Sequence, residues 1–291
     1  MTRSIDHVVL PVNSLADATE TLRALGFTVT PRARHPWGTA NCLVQFDGVF
    51  LEYLEVADES DFPQSLGANA FSFAHFNRDW LNRLGEGASM LVLTGTDAAG
   101  DRAAFEKAGL RVYDAFDFER TATLPDGDTR KVAFSLTFIG DPGLPDIGFF
   151  TCQHHFPENF WKPDYQRHEN TAADLAGVVI VADAPARHTA FLAAFAGQDA
   201  ARPTRFGFEI AAGRHTISIL TPAGYEALYG ASTHRLVPGS ATIAAIRIRV
   251  KDETAVAACL KKAGIAAERR GGGRIIDAKD CHGCAMVFEH S

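Results

Sequence analysis

The chain has 291 residues, 46% of them hydrophobic, with 28 basic against 35 acidic side chains and a formal net charge of −7. That is ample apolar material for a large core and, by length, one or two domains. The charges are spread along the chain with no basic block, and the apolar runs are far short of a membrane span, which argues against nucleic-acid and membrane partners. The start, MTRSIDHVVLPV, lacks the apolar core and cleavage site of a signal peptide. Five cysteines at irregular spacing are no disulfide framework. A reducing cytoplasm is the expected compartment.

In chain order, IDHVVLPV (5–12) reads as a buried strand. A helix follows in NSLADATETLRALGF. Ser14 with Asp17 three residues on resembles a capping box, and Leu15, Ala18, Leu22 and Leu25 form one apolar stripe. Gly26 is placed to end this helix. ANCLVQF (40–46) and VFLEYLEV (49–56) read as strands joined by Asp47-Gly48, a strong hairpin signal. SMLVLTGT (89–96) begins again. Its helix runs through DAAGDRAAFEKAG and stops at Gly109. LRVYDAF, a PDGD turn at 125–128, KVAFSLTFI (131–139) and IGFFTCQ (147–153) follow. GVVIVAD (177–183) opens a third copy. Pro185 suits the first turn of its helix, which ends at Gly197. FGFEIAAGRHTISIL (206–220) reads as a hairpin around Ala212-Gly213. The fourth copy is TIAAIRIRV (242–250), a helix ending at Gly264, then GRIIDA and CAMVFEH.

The unit is therefore β-α-β-β-β, used four times. It does not continue into alternating βα units, which argues against a doubly wound parallel sheet. One helix cannot cover both faces of a four-stranded sheet, so the units are expected to pair. The polar, aromatic stretch after residue 153 divides the chain: a first domain over 1–153, a connector over 154–176, and a second domain over 177–291.

Four such units, with IDHVVL as the first strand and VFLEYLEV as the fourth, resemble the vicinal oxygen chelate superfamily. The stretch Gly148–Asn170 also resembles bacterial glyoxalase-like domain proteins. The resemblance implies an α+β fold of two glyoxalase/extradiol-dioxygenase-like half-barrels, each curled around one cavity. It also implies a divalent metal ion (Zn, Ni, Mn or Fe), held by His or Glu from first and fourth strands, and a small oxygenated substrate. The fold hosts lyases, isomerases, dioxygenases and metal-free binders, so it does not choose among them.

Carried over by position, the resemblance makes His7 and Glu52 metal ligands, with Glu52 also moving a proton. Period-two alternation puts Ile5, His7 and Val9 on one face, and Phe50, Glu52 and Leu54 on one face. A charged Glu in an apolar strand is costly unless paired or ligated. Three protein ligands are usual, and the third is left to the Gln153-His154-His155 end, to His35, or to nothing. His154 is favoured because it lies nearer the strand, and neighbours on a strand point oppositely. Arg34, His35, Trp37 and Asn41, in a loop entering a strand, with Gln153 and His155, are candidates for substrate contact. Arg34 could grip a carboxylate bidentately.

Other features carry less. Glu289 matches a fourth-strand position but reads as a solvated terminal residue. Cys281-His282-Gly283-Cys284, without a second pair, reads as a hairpin turn. Aromatics through His168 read as a strap on the first half. The second half reads as a structural copy without a site, or as a lid and homodimer surface. A metal-free sequestering protein on the same cavity is the competing reading to an enzyme.

Overall fold

The computed structural model describes residues 2–123, 129–230 and 240–291. The first half begins β1 (Ile5–Pro11), α1 (Leu15–Ala24), β2 (Ala33–Arg34), β3 (Thr39–Gln45) and β4 (Phe50–Val56). After α2 (Phe73–Leu84) come β5 (Met90–Gly95), α3 (Ala98–Lys107), β6 (Arg111–Val112), β7 (Phe116–Thr123), β8 (Thr129–Gly140) and β9 (Gly148–His154). Together these strands form one sheet in the order β2-β3-β4-β1-β5-β9-β8-β6, with β7 also on β8. The PDGD turn lies outside the described residues.

A short helix, α4 (Pro157–Phe160), leads to the second half. Its elements are β10 (Ala172–Ala182), α5 (Thr189–Ala196), β11 (Arg202–Thr204), β12 (Gly207–Ala212), β13 (His215–Leu220) and α6 (Pro222–Tyr229). Then follow β14 (Ala241–Val250), α7 (Glu253–Ala263), β15 (Glu268–Arg270), β16 (Gly273–Ile276) and β17 (Ala285–His290). The second sheet runs β11-β12-β13-β10-β14-β17-β16-β15. Residues from Ala172, expected in the connector, already belong to β10.

Each unit closes in the same way. Its first strand lies parallel to its last, and the first strands of paired units, β1 with β5 and β10 with β14, run antiparallel. This is an α+β fold of four βαβββ units in two curled sheets. The local signals explain it. Ser14 Oγ accepts from the Asp17 amide, starting α1. Gly197 and Gly264 take left-handed φ of 70° and 69° as the caps of α5 and α7, a region closed to most residues. Phe46 N donates to Val49 O across the Asp47-Gly48 turn.

Three apolar interiors result. The helix-side faces of both sheets share one core, in which β1 residues Val8 and Leu10 meet α1, α5 and α7. On the concave face of the second sheet, among the described residues, Tyr225 of α6 packs with Val179, Ala244 and Ala285. The concave face of the first sheet is rich in phenylalanine, and Phe73 and Ala74 of α2 pack onto it. Ser72 caps α2, and Phe73, Asn77 and Trp80 form its buried stripe. Among the described residues, no helix is long and apolar enough to cross a membrane.

Candidate functional site

The first cup holds a small cavity of about 40 Å³. Its walls are Phe50, Phe73, Phe118, Phe134, Phe150 and Phe160, with Trp37, Leu43, Leu136 and Cys152. Its polar groups are His7, His35, Asn41, Glu52 and Arg120. Phe50 and Leu54 lie in this aromatic core beside Glu52, while Leu51 and Tyr53 face the shared core. Alternation along β4 thus turns the carboxylate inward. In β1 the alternation breaks. The pairing with β5 shifts between Ile5 and His7, so Ile5 returns to the shared core with Val8 and Leu10 while His7 faces the cup. Such bulges re-aim side chains next to active sites.

The bulge also brings Asp6, buried and unforeseen in the sequence, beneath two histidines. His7 Nδ1 lies 2.6 Å from Asp6 Oδ1, and His154 Nε2 lies 3.1 Å from Asp6 Oδ2. Burial alone would raise the Asp6 carboxyl; His154 and His7 outweigh it and hold it at about 2. An ionised carboxylate at this distance makes Nδ1 the protonated nitrogen of His7. Its Nε2 stands 3.7 Å from Glu52 Oε2. The ring is stacked on Phe50 at 4.3 Å.

The other side of Glu52 mirrors this. Asn41 Nδ2 donates to Glu52 Oε1 at 2.6 Å and lies 3.4 Å from His35 Nε2. His35 Nδ1 bonds Thr39 Oγ1 at 2.9 Å, and its ring stacks on Trp37 at 4.8 Å. Burial, helped by Arg120 and His7, lowers His35 to about 3, so it is neutral. An amide donor at Nε2 leaves that nitrogen as the acceptor, 3.7 Å from Glu52 Oε1. Burial raises the Glu52 carboxyl above its usual range, against His7, Asn41 and Arg120. Glu52 therefore stands between two imidazole Nε2 atoms inside an apolar shell.

A model of the glyoxalase-like domain matches residues 5–196. The chain belongs to the glyoxalase-like domain family. The matched segment runs past β9 through β10 and α5, the second-half elements that pack against the first half through Phe149, Phe191 and Phe195. A search of curated protein sequences finds no match. Among solved structures, a hypothetical protein from Staphylococcus aureus aligns with a TM-score of 0.69 at 12% identity, over 99% of this chain and 100% of its own. A mutant 4-hydroxymandelate synthase from Streptomyces coelicolor aligns at 0.59 and 12%, over 99% and 92%. A Mn(II)-bound glyoxalase from Novosphingobium aromaticivorans aligns at 0.55 and 14%, over 100% and 83%. At such identities the likeness establishes the fold alone.

Within this glyoxalase-like fold, the residues expected at the site divide. His7, His35, Trp37, Asn41 and Glu52 converge on one cavity. His154 does not join His7 and Glu52. Its Nε2 is on Asp6 and its ring lies on Trp161 at 5.7 Å. With Cys152 and Asp6 it forms a separate group whose ligand atoms lie within 4.8 Å of one another. Of the two readings of β9, Phe150 and Cys152 face the cup, because Phe138 and Leu136 of β8 pair with them. Gln153 points the other way, where Oε1 accepts from Ala98 N at the start of α3. His155 is exposed and bonds Ser135 Oγ. Arg34 is held outside the cavity by Asp58 and Asp61. These three are not cavity groups in this geometry.

The second unit supplies apolar Met90, Val92 and Phe150 to the cup, and no histidine or acid from β5. In the second half Glu289 is paired with Arg247 at 2.6 and 2.9 Å rather than solvated. Cys281 and Cys284 are buried free thiols between β16 and β17, and His282 between them bonds Glu86 of the first half. The strap is packed as its aromatics suggest. His168 accepts from Thr28 N and donates to Gln45 O, and Phe160 reaches the cavity itself.

Proposed function

We propose that the first half is a divalent-metal-dependent enzyme acting on a small oxygenated molecule by moving a proton at carbon. The observation that carries this is the Glu52 carboxylate with His7 Nε2 and His35 Nε2 each 3.7 Å from one of its oxygens. Two ligands about 2.1 Å from one ion can stand up to roughly 4 Å apart, so the His7–Glu52 pair fits a divalent cation. The Asp6 hydrogen bond behind His7 is the outer partner that metal-binding imidazoles usually have. His7 and Glu52 would hold the ion, with His35 nearest as the third donor. When bound, the ion would polarise a substrate oxygen.

The chain's own groups supply the rest. Asn41 fixes one oxygen of Glu52, and burial makes the carboxylate a stronger base. A C–H bond beside a substrate carbonyl would break, its proton passing to Glu52 and its electron pair to the carbonyl oxygen. The phenylalanine walls exclude water from that charge. This chemistry belongs to isomerases and lyases and fits a buried base better than dioxygenation does.

Protein purified without chelator is expected to carry near-stoichiometric divalent metal by elemental analysis. His7→Ala should lose it with an unchanged circular dichroism spectrum, and His154→Ala should keep it. Metal-free wild type that also fails to bind Mn(II) in titration calorimetry would overturn the metal. The rival reading, a metal-free binder, rests on the apolar β5 and β9 positions and on the tightest ligand group among the described residues being Asp6, Cys152 and His154 instead. It would then stand.

A further inference from the structure

Two buried donors in the cavity wall lack an acceptor. Arg120 Nε and Trp37 Nε1 have no hydrogen-bond partner among the described residues, and both residues line the cavity around Glu52. Guanidinium and indole N–H groups can only donate, so what they await is an acceptor. Arg120 is half-buried on β7, continuing the alternation of Phe116 and Phe118. It also lines an outer groove of about 360 Å³ with Arg32, Arg34, Lys162 and Tyr165. Arg32 is engaged by Glu55, and Arg34 by Asp58 and Asp61. Arg120 thus stands at the junction of groove and cavity, with its charge felt by Glu52 and His35.

We infer that Arg120 and Trp37 bind the carboxylate of a carboxylic acid whose reacting carbon lies against Glu52. This deepens the function proposed above and rests on it for the role of Glu52. The planar guanidinium fork matches a carboxylate, and the apolar walls strengthen the pairing. The cavity of about 40 Å³ admits only the reacting end of the acid, and the groove of about 360 Å³ beyond Arg120 leaves room for the rest.

Titration calorimetry with lactate and with its uncharged amide, lactamide, tests the inference. The wild type should bind lactate about tenfold tighter than lactamide. Arg120→Gln should erase that preference, and Arg120→Lys, which keeps charge without the fork, should retain part of it. Melting temperature separates this from a structural role: Arg120→Gln should melt close to wild type, losing only its charge interaction with Glu52, since no partner of Nε is lost. Trp37→Phe, should Arg120→Gln not fold, is expected to weaken lactate severalfold and leave lactamide unchanged. Arg120→Gln should retain metal, and His7→Ala should retain the preference for lactate, so the two proposals fail separately. Equal affinity for lactate and lactamide, no lactate binding by wild type, or unchanged lactate affinity in Arg120→Gln overturns the assignment.

Discussion

Asp6→Ala is expected to destabilise the protein by roughly 3–5 kcal/mol, although Asp6 touches no cavity ligand except through His7. Its carboxylate is buried and holds His7 and His154 at 2.6 and 3.1 Å. Removing it strips two ring nitrogens of their acceptor. Asp6→Asn keeps the shape and one acceptor oxygen, and should recover part of the loss. The pH dependence follows from the same group. Its carboxyl falls from 3.8 to about 2 on folding. That depression contributes about 2 kcal/mol of stability, fully present above pH ~4 and lost as the pH falls towards ~2. Urea unfolding between pH 5 and pH 2, with chelator present, should show the wild type losing this increment and Asp6→Asn lacking the step. An equal acid response in both would remove Asp6 from the account.

That Asp6 went unseen in the sequence has a physical reason. Strict alternation assigns Ile5, His7 and Val9 to one face, and a one-residue bulge in the pairing of β1 with β5 undoes this for Ile5. Nothing in IDHVVL announces a bulge, because its cause lies in a partner strand some 80 residues away. Elements set by local chemistry were legible: the glycine helix stops, the Ser14 cap and the Asp47-Gly48 turn all act within a few residues. So was the inward turn of Glu52, since β4 keeps its period without interruption.

Arg120 is the instructive omission at the site. Phe116, Phe118 and Arg120 follow period two, and an arginine ending a run of inward aromatics is a signal, but only if the stretch is read as a strand. The helix α2 was legible in principle, from Ser72 as cap and Phe73, Asn77 and Trp80 at helical spacing. That Gln153 and His155 fall outside the cup depends on which face of β9 pairs inward with β8, a choice that two adjacent histidines leave open. The packing of Tyr225 with Val179 likewise needs α6 to be seen lying over β10.

The two halves should unfold together, and Phe149→Ala tests this. Phe149 is fully buried at the back of β9, on the face opposite the cavity. Its ring centroid lies 4.9 Å from that of Phe191 and 5.4 Å from that of Phe195, both on α5 of the second half. Phe105 of α3 meets Phe195 from the same side, and Arg3 Nη1 donates to the Phe195 carbonyl. At the far end of the interface Phe27 stacks on Phe288, and Asn170 bonds the Leu25 carbonyl at the end of α1. The core between the sheets is thus one body rather than two domain cores in light contact. Truncating a buried phenylalanine there leaves a cavity that packed helices on both sides cannot close, at a cost of about 3–5 kcal/mol. In differential scanning calorimetry the expected result is a single transition, lowered by roughly 10 °C and still single in the variant. Two resolved transitions, of which Phe149→Ala moves only one, would show instead that each half folds on its own core and that the strap alone joins them.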